Sequence, residues 1–298
     1  MLNIKLILTR TLTSVVLFTL FLMHPARVQA QAGEAYRIYS PEGEVIGFDD
    51  WINAMKGADV VFLGELHNNP IDHWLQLEVI RSLDSEKEVQ IGAEMFEWDD
   101  QLILEEYLTG KITMDHLRKE AKVWPNFQTD YQPIVEYAKD EGIDFIATNV
   151  SRRYASITSK EGQAALKSLP KASADFLPSL PFDLPEEDRG YLEMKEMMGG
   201  HSHGMKMETL IEAQALKDYT MATAIKENRD KDAVFVHLNG SFHTQYRAGL
   251  AGYLARMQPK WKMIVVASVS SDSDNFDPSW AELGDFIVWK PESMTKTH

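Results

Sequence analysis

Cysteine is absent from the 298 residues of the chain. Without thiols the protein forms no disulfide, iron–sulfur cluster or cysteine-type zinc site, so its apolar core must supply the stability of the fold. A lipid attached to cysteine is excluded for the same reason, and we expect a protein that is not lipid-anchored. Any bound metal must be held by oxygen, imidazole or thioether ligands.

Positive charge is also scarce. Lys and Arg total 30 against 45 Asp and Glu, which gives a formal net charge of −15 at pH 7. This balance argues against a surface for nucleic acid or anionic lipid, and we expect no nucleic-acid partner. Hydrophobic residues at 44% and charged residues at 25% are ordinary for a globular domain.

The first 30 residues have the pattern of a Sec-type signal peptide. Lys5 and Arg10 are basic, residues 12–23 are mostly apolar, and Val28-Gln29-Ala30 fits a small-x-small cleavage site. A single membrane anchor is the alternative, although the apolar run is shorter than the ~20 residues of a full span. We expect export of the chain, with residues 31–298 forming one periplasmic or extracellular domain.

Six short apolar runs, most of them rich in β-branched residues, predict strands at residues 59–63, 89–93, 143–148, 233–239, 262–267 and 285–289. Helical patterns lie between them, one after Pro70 and others at residues 101–108, 115–123, 209–227 and 244–257. This alternation predicts an α/β fold with a mostly parallel central sheet flanked by helices. Residues from about 160 to 208 lack a strand pattern, and we expect a helical insertion there, before the fourth core strand.

Polar residues follow three of the predicted strands. Glu65 and His67 come after the first, Glu94 after the second and His243 after the fourth, with Gly-x-x-His occurring at both histidines. Ligands bind beyond the carboxyl ends of the strands in an open parallel sheet. If these strands are neighbours, the four side chains point into one cleft.

Two imidazoles and two carboxylates support two kinds of chemistry. Glu65, His67, Glu94 and His243 can hold a divalent metal that leaves one position open for water. Without metal, a histidine paired with a glutamate can act as a general base. In either case the four would be the catalytic residues of a hydrolase. The structural alternative is that Glu65 and His67 cap the next helix and that Glu94 pairs with a core arginine.

The segment MKEMMGGHSHGMKM, residues 194–207, is a second candidate, with five of the 14 methionines. Thioethers and imidazoles suit copper or haem iron, and methionines can cover a flat apolar ligand. A haem contact through His201, His203 and Met205 and a copper-chaperone role are two interpretations. A glycine-hinged lid with incidental histidines is the third.

Arg152, Arg153 and Tyr154 follow the third predicted strand. Arginines can pair with carboxylates such as haem propionates, and a tyrosine oxygen can bind ferric iron. The alternative is that the arginines neutralise Glu65 or Glu94 and that Tyr154 packs within a helix.

The remaining candidates are weaker. Gln214 and Asp218 share a helix face that can line the cleft or face solvent. His237 lies within a predicted strand and is expected to be a core histidine. His73 and His116 are expected on helix surfaces.

Five motifs occur in a fixed order over roughly residues 60–269: GELHNNPIDHWLQ, GAEMFEWDDQ, ATNVSRRYAS, EAQALKDYTMA and HLNGSFH. In this order they resemble the ChaN-like haem-binding uptake proteins of the Tiki/TraB/erythromycin-esterase superfamily. The motif positions carried over are Glu65, His67, Glu94, Arg152 and His243. Some members of the family are lipoproteins, and the lack of cysteine departs from that pattern.

The resemblance implies an α/β fold, a location outside the cytoplasm and a role in haem or iron acquisition. It further implies a homodimer with haem at the interface and tyrosine or histidine near the iron, for which Tyr154 is the first candidate and His203 and His201 are next. A possible partner is an outer-membrane haem receptor or transporter. The superfamily also includes hydrolases that use the same glutamate and histidine set, metal-dependent proteases among them, so a hydrolase is the alternative.

Overall fold

A central eight-stranded sheet organises the computed structural model, which describes residues 34–198 and 206–298. Its strands are β1 (Arg37–Tyr39), β2 (Val45–Ile46), β3 (Val60–Glu65), β4 (Val89–Glu97), β5 (Phe145–Asn149), β6 (Val234–Gly240), β7 (Met263–Ser271) and β8 (Phe286–Pro291). The order across the sheet is β2-β1-β8-β7-β3-β6-β4-β5. The strands from β8 to β5 are parallel, and β1 and β2 add an antiparallel edge.

Helices connect the strands and cover both faces of the sheet. They are α1 (Phe48–Met55), α2 (Pro70–Asp84), α3 (Gln101–Leu108), α4 (Met114–Glu120), α5 (Phe127–Asp130), α6 (Gln132–Glu141), α7 (Arg152–Glu161), α8 (Arg189–Met198), α9 (Met207–Asn228) and α10 (Gly249–Met257). Helix α2 starts where the sequence indicates, because the Asn69 side chain accepts from the Ile71 amide and Pro70 takes the first helical position.

The core lies in two layers, one on each face of the sheet. Alternate residues of β3 supply both: Val61 and Leu63 pack with α1 to α6, whereas Val60 and Phe62 pack with α7, α9 and α10. This two-residue alternation explains why the strand reads as a continuous apolar run in the sequence.

The predicted fold class is confirmed, and each of the six predicted strands is present. The edge strands β1 and β2, of three and two residues, were not predicted because such short segments show no alternation. The helix predicted over residues 244–257 begins only at Gly249. Tyr246 and Arg247 have positive φ values of 61° and 56°, which an α-helix of L-residues does not accommodate.

The predicted signal peptide lies outside the described residues. In the part of the chain that the structure describes, no helix has both the length and the apolar character to cross a bilayer.

The contact between β4 and β6 gives a test of the core. A Cβ added at Gly92 would lie 2.5 Å from the buried ring of Phe235. Overpacking of this kind typically costs about 1–3 kcal/mol, so Gly92→Ala should lower the free energy of unfolding in denaturant titrations by that amount. The matched control is Gly57→Ala, where a Cβ meets nothing within 4 Å. Equal stability of the two variants would contradict this packing.

Candidate functional site

The carboxyl ends of β3, β6 and β4 lie side by side at one edge of the sheet. Glu65, the last residue of β3, pairs in register with Gly240, the last residue of β6. Glu94 lies on the neighbouring strand β4, and His67 and His243 follow β3 and β6 directly. The strand order therefore gathers at one place the four side chains that the sequence singles out.

Glu65 orients His67. The Glu65 side chain is fully buried, and its Oε1 lies 2.7 Å from Nδ1 of His67. The Tyr131 hydroxyl donates to Oε1 at 2.6 Å, and the Gln76 amide donates to Oε2 at 2.7 Å. Because Glu65 accepts from Tyr131 and Gln76, we assign Nδ1 of His67 as a further donor to this carboxyl group, which leaves Nε2 as the free ring nitrogen.

His67 is the accessible member of the cluster formed by Glu65, His67, Glu94 and His243. Its side chain is 40% exposed, against 0% for Glu65, 5% for Glu94 and 6% for His243. Its ring packs edge-on against Trp124 at a centroid distance of 4.8 Å. Burial lowers the pKa of His67, but the hydrogen bond to Glu65 and the charges of Glu94 and Glu65 outweigh it and raise that pKa. A ligand that enters from solvent meets this imidazole first.

His243 lies between two buried carboxylates. Its Nδ1 is 2.5 Å from Oδ1 of Asp218 on α9, and its Nε2 is 3.2 Å from Oε1 of Glu94. The Tyr191 hydroxyl donates to the other oxygen of Asp218 at 2.8 Å. Burial lowers the pKa of His243, yet the charges of Glu94 and Asp218 raise it to about 10. The ring is therefore an imidazolium at neutral pH.

Glu94 is ionised despite its burial. Burial raises its pKa, but the charge and hydrogen bond of His243, the charge of His67 and the Gly240 amide hold it far below the usual range. The Gly240 amide donates to Oε2 at 2.9 Å. A Cβ at Gly240 would lie 2.7 Å from Nε2 of His67, so only glycine lets this strand end approach the ring so closely.

The predicted divalent-metal site is not supported. Across residues 34–198 and 206–298, no group of three or more His, Asp or Glu side chains is arranged to hold a metal ion. The physical reason is that the imidazoles are already paired with carboxylates: Glu65 binds Nδ1 of His67, and Glu94 and Asp218 bind the two nitrogens of His243.

The structural alternatives for these residues are also wrong. Asn69, and not Glu65 or His67, provides the side-chain cap of α2. Glu94 pairs with His243 and not with an arginine. The cluster is therefore more than a helix cap with a core ion pair.

Arg152, Arg153 and Tyr154 make their contacts with residues other than these four. Arg152 pairs with Glu97 and Arg153 with Asp99, so the prediction that they neutralise Glu65 or Glu94 is wrong. Tyr154 is on α7 and only 5% exposed, and its hydroxyl accepts from Arg153 at 3.2 Å. The arginines already have carboxylate partners from this chain, and the tyrosine is a core side chain.

The prediction that His73 lies on a helix surface is also wrong, because its side chain is buried. Its Nε2 lies 3.1 Å from the carbonyl of His67 and 3.3 Å from Oδ2 of Asp130. The ring of Tyr131 packs edge-on against it at 4.9 Å. Since α5 and the residues after it fold over the first turn of α2, a position that looks peripheral in the helix pattern is covered.

The other weak candidates differ in where they lie: one is in the core, one is on the surface and one is next to His243. His237 is fully buried and bonded to Thr148 and Asn239, and burial lowers its pKa to about 4, as befits a core histidine. His116 is exposed. Gln214 lies on the same face of α9 as Asp218, and its amide nitrogen is 3.1 Å from Nδ1 of His243. His201, His203 and Met205 lie outside the described residues.

Sequence reasoning missed the side chains that support the cluster from behind. Tyr131 and Gln76 donate hydrogen bonds to Glu65, and Tyr191 donates one to Asp218. Tyr131 lies between α5 and α6, Gln76 lies on α2 and Tyr191 lies on α8. No spacing in the sequence marks them, because their proximity arises only when these elements pack on the sheet.

Comparison with known proteins places the fold. The matching family model is described as haem-binding uptake, Tiki superfamily, ChaN, and it covers residues 51–254. A structure described as cofacial haem binding to ChaN of Campylobacter jejuni is 18% identical, with a TM-score of 0.65, and covers 86% of this chain and 97% of that one. At this identity the similarity shows a shared fold.

Two further similarities are more distant. Protein RETICULATA-RELATED 5, chloroplastic, of Arabidopsis thaliana is 23% identical over 232 residues, so the chain spans only 31% of that relative's length. An erythromycin esterase structure has a TM-score of 0.45 at 14% identity and covers 79% of this chain and 77% of that one, too low a similarity for an inference about this chain.

The paired carboxylates of His243 predict a pH effect on stability. Its raised pKa means that the imidazolium stabilises the fold fully below the unfolded value of about 6.5, and that this contribution is lost as the pH rises towards the folded value. Asp218→Asn removes one carboxylate and should lower the pKa of His243 in an NMR titration. The unfolding free energy of the Asp218→Asn variant should then fall less between pH 6.5 and 10 than the unfolding free energy of the wild type.

The control for this experiment is Asp115→Asn, at an exposed position on α4. It should leave the His243 titration unchanged. An unchanged titration in Asp218→Asn as well would contradict the ion pair.

Proposed function

The chain belongs to the ChaN haem-binding uptake family of the Tiki superfamily, and from that premise we propose that it binds haem outside the cytoplasm as part of haem or iron acquisition. The family match over residues 51–254 carries this proposal. The signal-peptide pattern of the first 30 residues supports the location. Haem is the cargo in this proposal, passed to or from an outer-membrane receptor or transporter.

Among the described residues, His67 fits a haem ligand best. Haem iron takes an imidazole nitrogen, and a ligating histidine ordinarily donates its other N–H to a carboxylate. His67 has that arrangement with Glu65, and it is 40% exposed. Tyr154 fits less well because it is buried beside Arg153. We therefore prefer His67 to Tyr154 as the iron ligand.

We propose that exposed apolar side chains of helix α8 contact the flat macrocycle. Leu192 is 42% exposed and Met197 is 65% exposed on this helix. The helix leads into the Gly-His-Ser-His-Gly-Met stretch of residues 200–205. We propose that His201, His203 and Met205 contribute to haem binding, and that a homodimer encloses the ligand.

A hemin titration of residues 31–298, followed by visible absorption, tests the proposal. Saturable binding with a shifted Soret band is expected. His67→Ala should change the spectrum if His67 is the iron ligand, and His201→Ala/His203→Ala should change it if the ligand lies in the 200–205 stretch. Tyr154→Phe should leave it unaltered. The control is His116→Ala, on the exposed side of α4. The absence of saturable binding would reject the haem proposal.

A hydrolase is the second candidate, and the chain Asp218–His243–Glu94 favours it. Carboxylates that orient and charge a buried imidazole are typical of acid–base sites. His67, oriented by Glu65, is placed to accept a proton from a bound water. His243 holds Glu94 ionised, and the negative charge of Glu94 in turn raises the basicity of His67. This mechanism uses no metal ion.

Activity on a panel of fluorogenic esters and peptides tests this candidate. His67→Ala/His243→Ala should reduce hydrolysis by at least about 10²-fold, the usual contribution of a general base, while Tyr154→Phe retains it. Activity should also survive chelators. Hydrolysis that persists in the double variant would assign it to a contaminant or to another site.

A further inference from the structure

Lys290 is an ionisable residue in the interior of the fold, where burial lowers the pKa of its ammonium group and Asp72 raises it in part. It lies near the end of β8, and none of its surface is exposed. Its Nζ donates to Oδ1 of Asp72 at 2.5 Å and to the Ser268 hydroxyl oxygen at 2.6 Å. The Ser268 hydroxyl in turn donates to the same Asp72 oxygen at 2.6 Å. Lysine is almost never fully buried without such partners.

Through Asp72 this network reaches the turn that carries His67. The second oxygen of Asp72 accepts from the Leu66 backbone amide at 2.8 Å. Leu66 stands between Glu65 and His67, so this bond fixes the orientation of the peptide that joins the two. The first turn of α2 is thereby tied to the end of β3.

Through Ser268 the network reaches the turn that carries His243. The Ser268 amide donates to the Ser241 hydroxyl oxygen at 2.9 Å, and Ser241 lies directly after β6. A Cβ at Gly64 would lie 2.7 Å from that same oxygen and 2.5 Å from the Val266 carbonyl. The two turns therefore meet at a point where no side chain fits.

Stability alone does not account for this arrangement. A buried ion pair often contributes nothing over apolar side chains of the same volume, because both charges lose their hydration. We propose that Lys290 is a positioning residue: by holding Asp72 and Ser268 it sets the turns that carry His67 and His243. This role goes beyond the proposed function, because a haem ligand and a general base need the same fixed imidazole.

Three variants separate positioning from simple stability. Lys290→Met leaves Asp72 without its counterion. The apolar double variant, Lys290→Met/Asp72→Leu, removes both charges and also the acceptor of the Leu66 amide. The amide double variant, Lys290→Met/Asp72→Asn, removes both charges but keeps an oxygen acceptor at the same place. Denaturation midpoints report whether each variant folds, and NMR reports the turn in two ways.

In the folded apolar double variant the Leu66 amide should exchange faster by about tenfold or more, as expected for the loss of one buried hydrogen bond. The NOE between the rings of His67 and Trp124 should disappear. Lys290→Met should show the same two changes. The amide double variant should show both changes as well, because its acceptor is no longer held by Nζ of Lys290. Retention of the NOE and of slow exchange in that variant would overturn the proposal. Wild-type exchange and a wild-type NOE in the folded apolar double variant would overturn the proposal.

The wild-type chain gives a test that needs no variant. The Leu66 amide should exchange as slowly as that of Val61 within β3. Exchange at the rate of a loop amide would overturn the proposal even if every variant failed to fold. Neither readout involves haem or a substrate, so failure of this proposal is distinguishable from failure of the proposed function.

Discussion

Three buried carboxylates, from β3, β4 and α9, are the constraint on which this site depends. Glu65, Glu94 and Asp218 lie where water cannot solvate them, so each must be held by donors from the protein. The donors are two imidazoles, one backbone amide, two tyrosine hydroxyls and one side-chain amide. This requirement explains the positions of His67 and His243, because each ring provides a hydrogen-bond donor to a carboxylate that water does not reach.

The fold was predictable because its signal is local. Each core strand is a short apolar run, and the helices between the strands show apolar residues at helical spacing. The candidate site was predictable in part for a topological reason. Glu65 ends β3, His67 and His243 follow β3 and β6, and Glu94 lies three residues before the end of β4, so parallel strands present these positions at a common edge. One assumption, that β3, β6 and β4 are neighbours, was enough to group them.

The rest of the site was not predictable, since it depends on packing between distant segments. Tyr131 reaches Glu65 across 66 residues of chain, and Lys290 reaches Asp72 across 218. Arg152 and Arg153 show the opposite case. Their sequence pattern suggests a ligand site, but both side chains form ion pairs with acidic residues at the end of β4 and just beyond it. Sequence reasoning sees which residues can do chemistry, but it does not see which are already paired.

Haem binding and hydrolysis make different demands on the structure, and the two demands meet at His67. A haem carrier needs apolar surface and an accessible donor, which Leu192, Met197 and His67 provide. A hydrolase needs an oriented base of raised basicity, which His67 becomes beside Glu65 and Glu94. Of the buried residues, the ion pair of His243 and Asp218 has no evident use in a carrier whose ligand contacts only His67. Because Glu65 raises the basicity of His67 whether that ring meets iron or water, one buried carboxylate suits the imidazole to both roles.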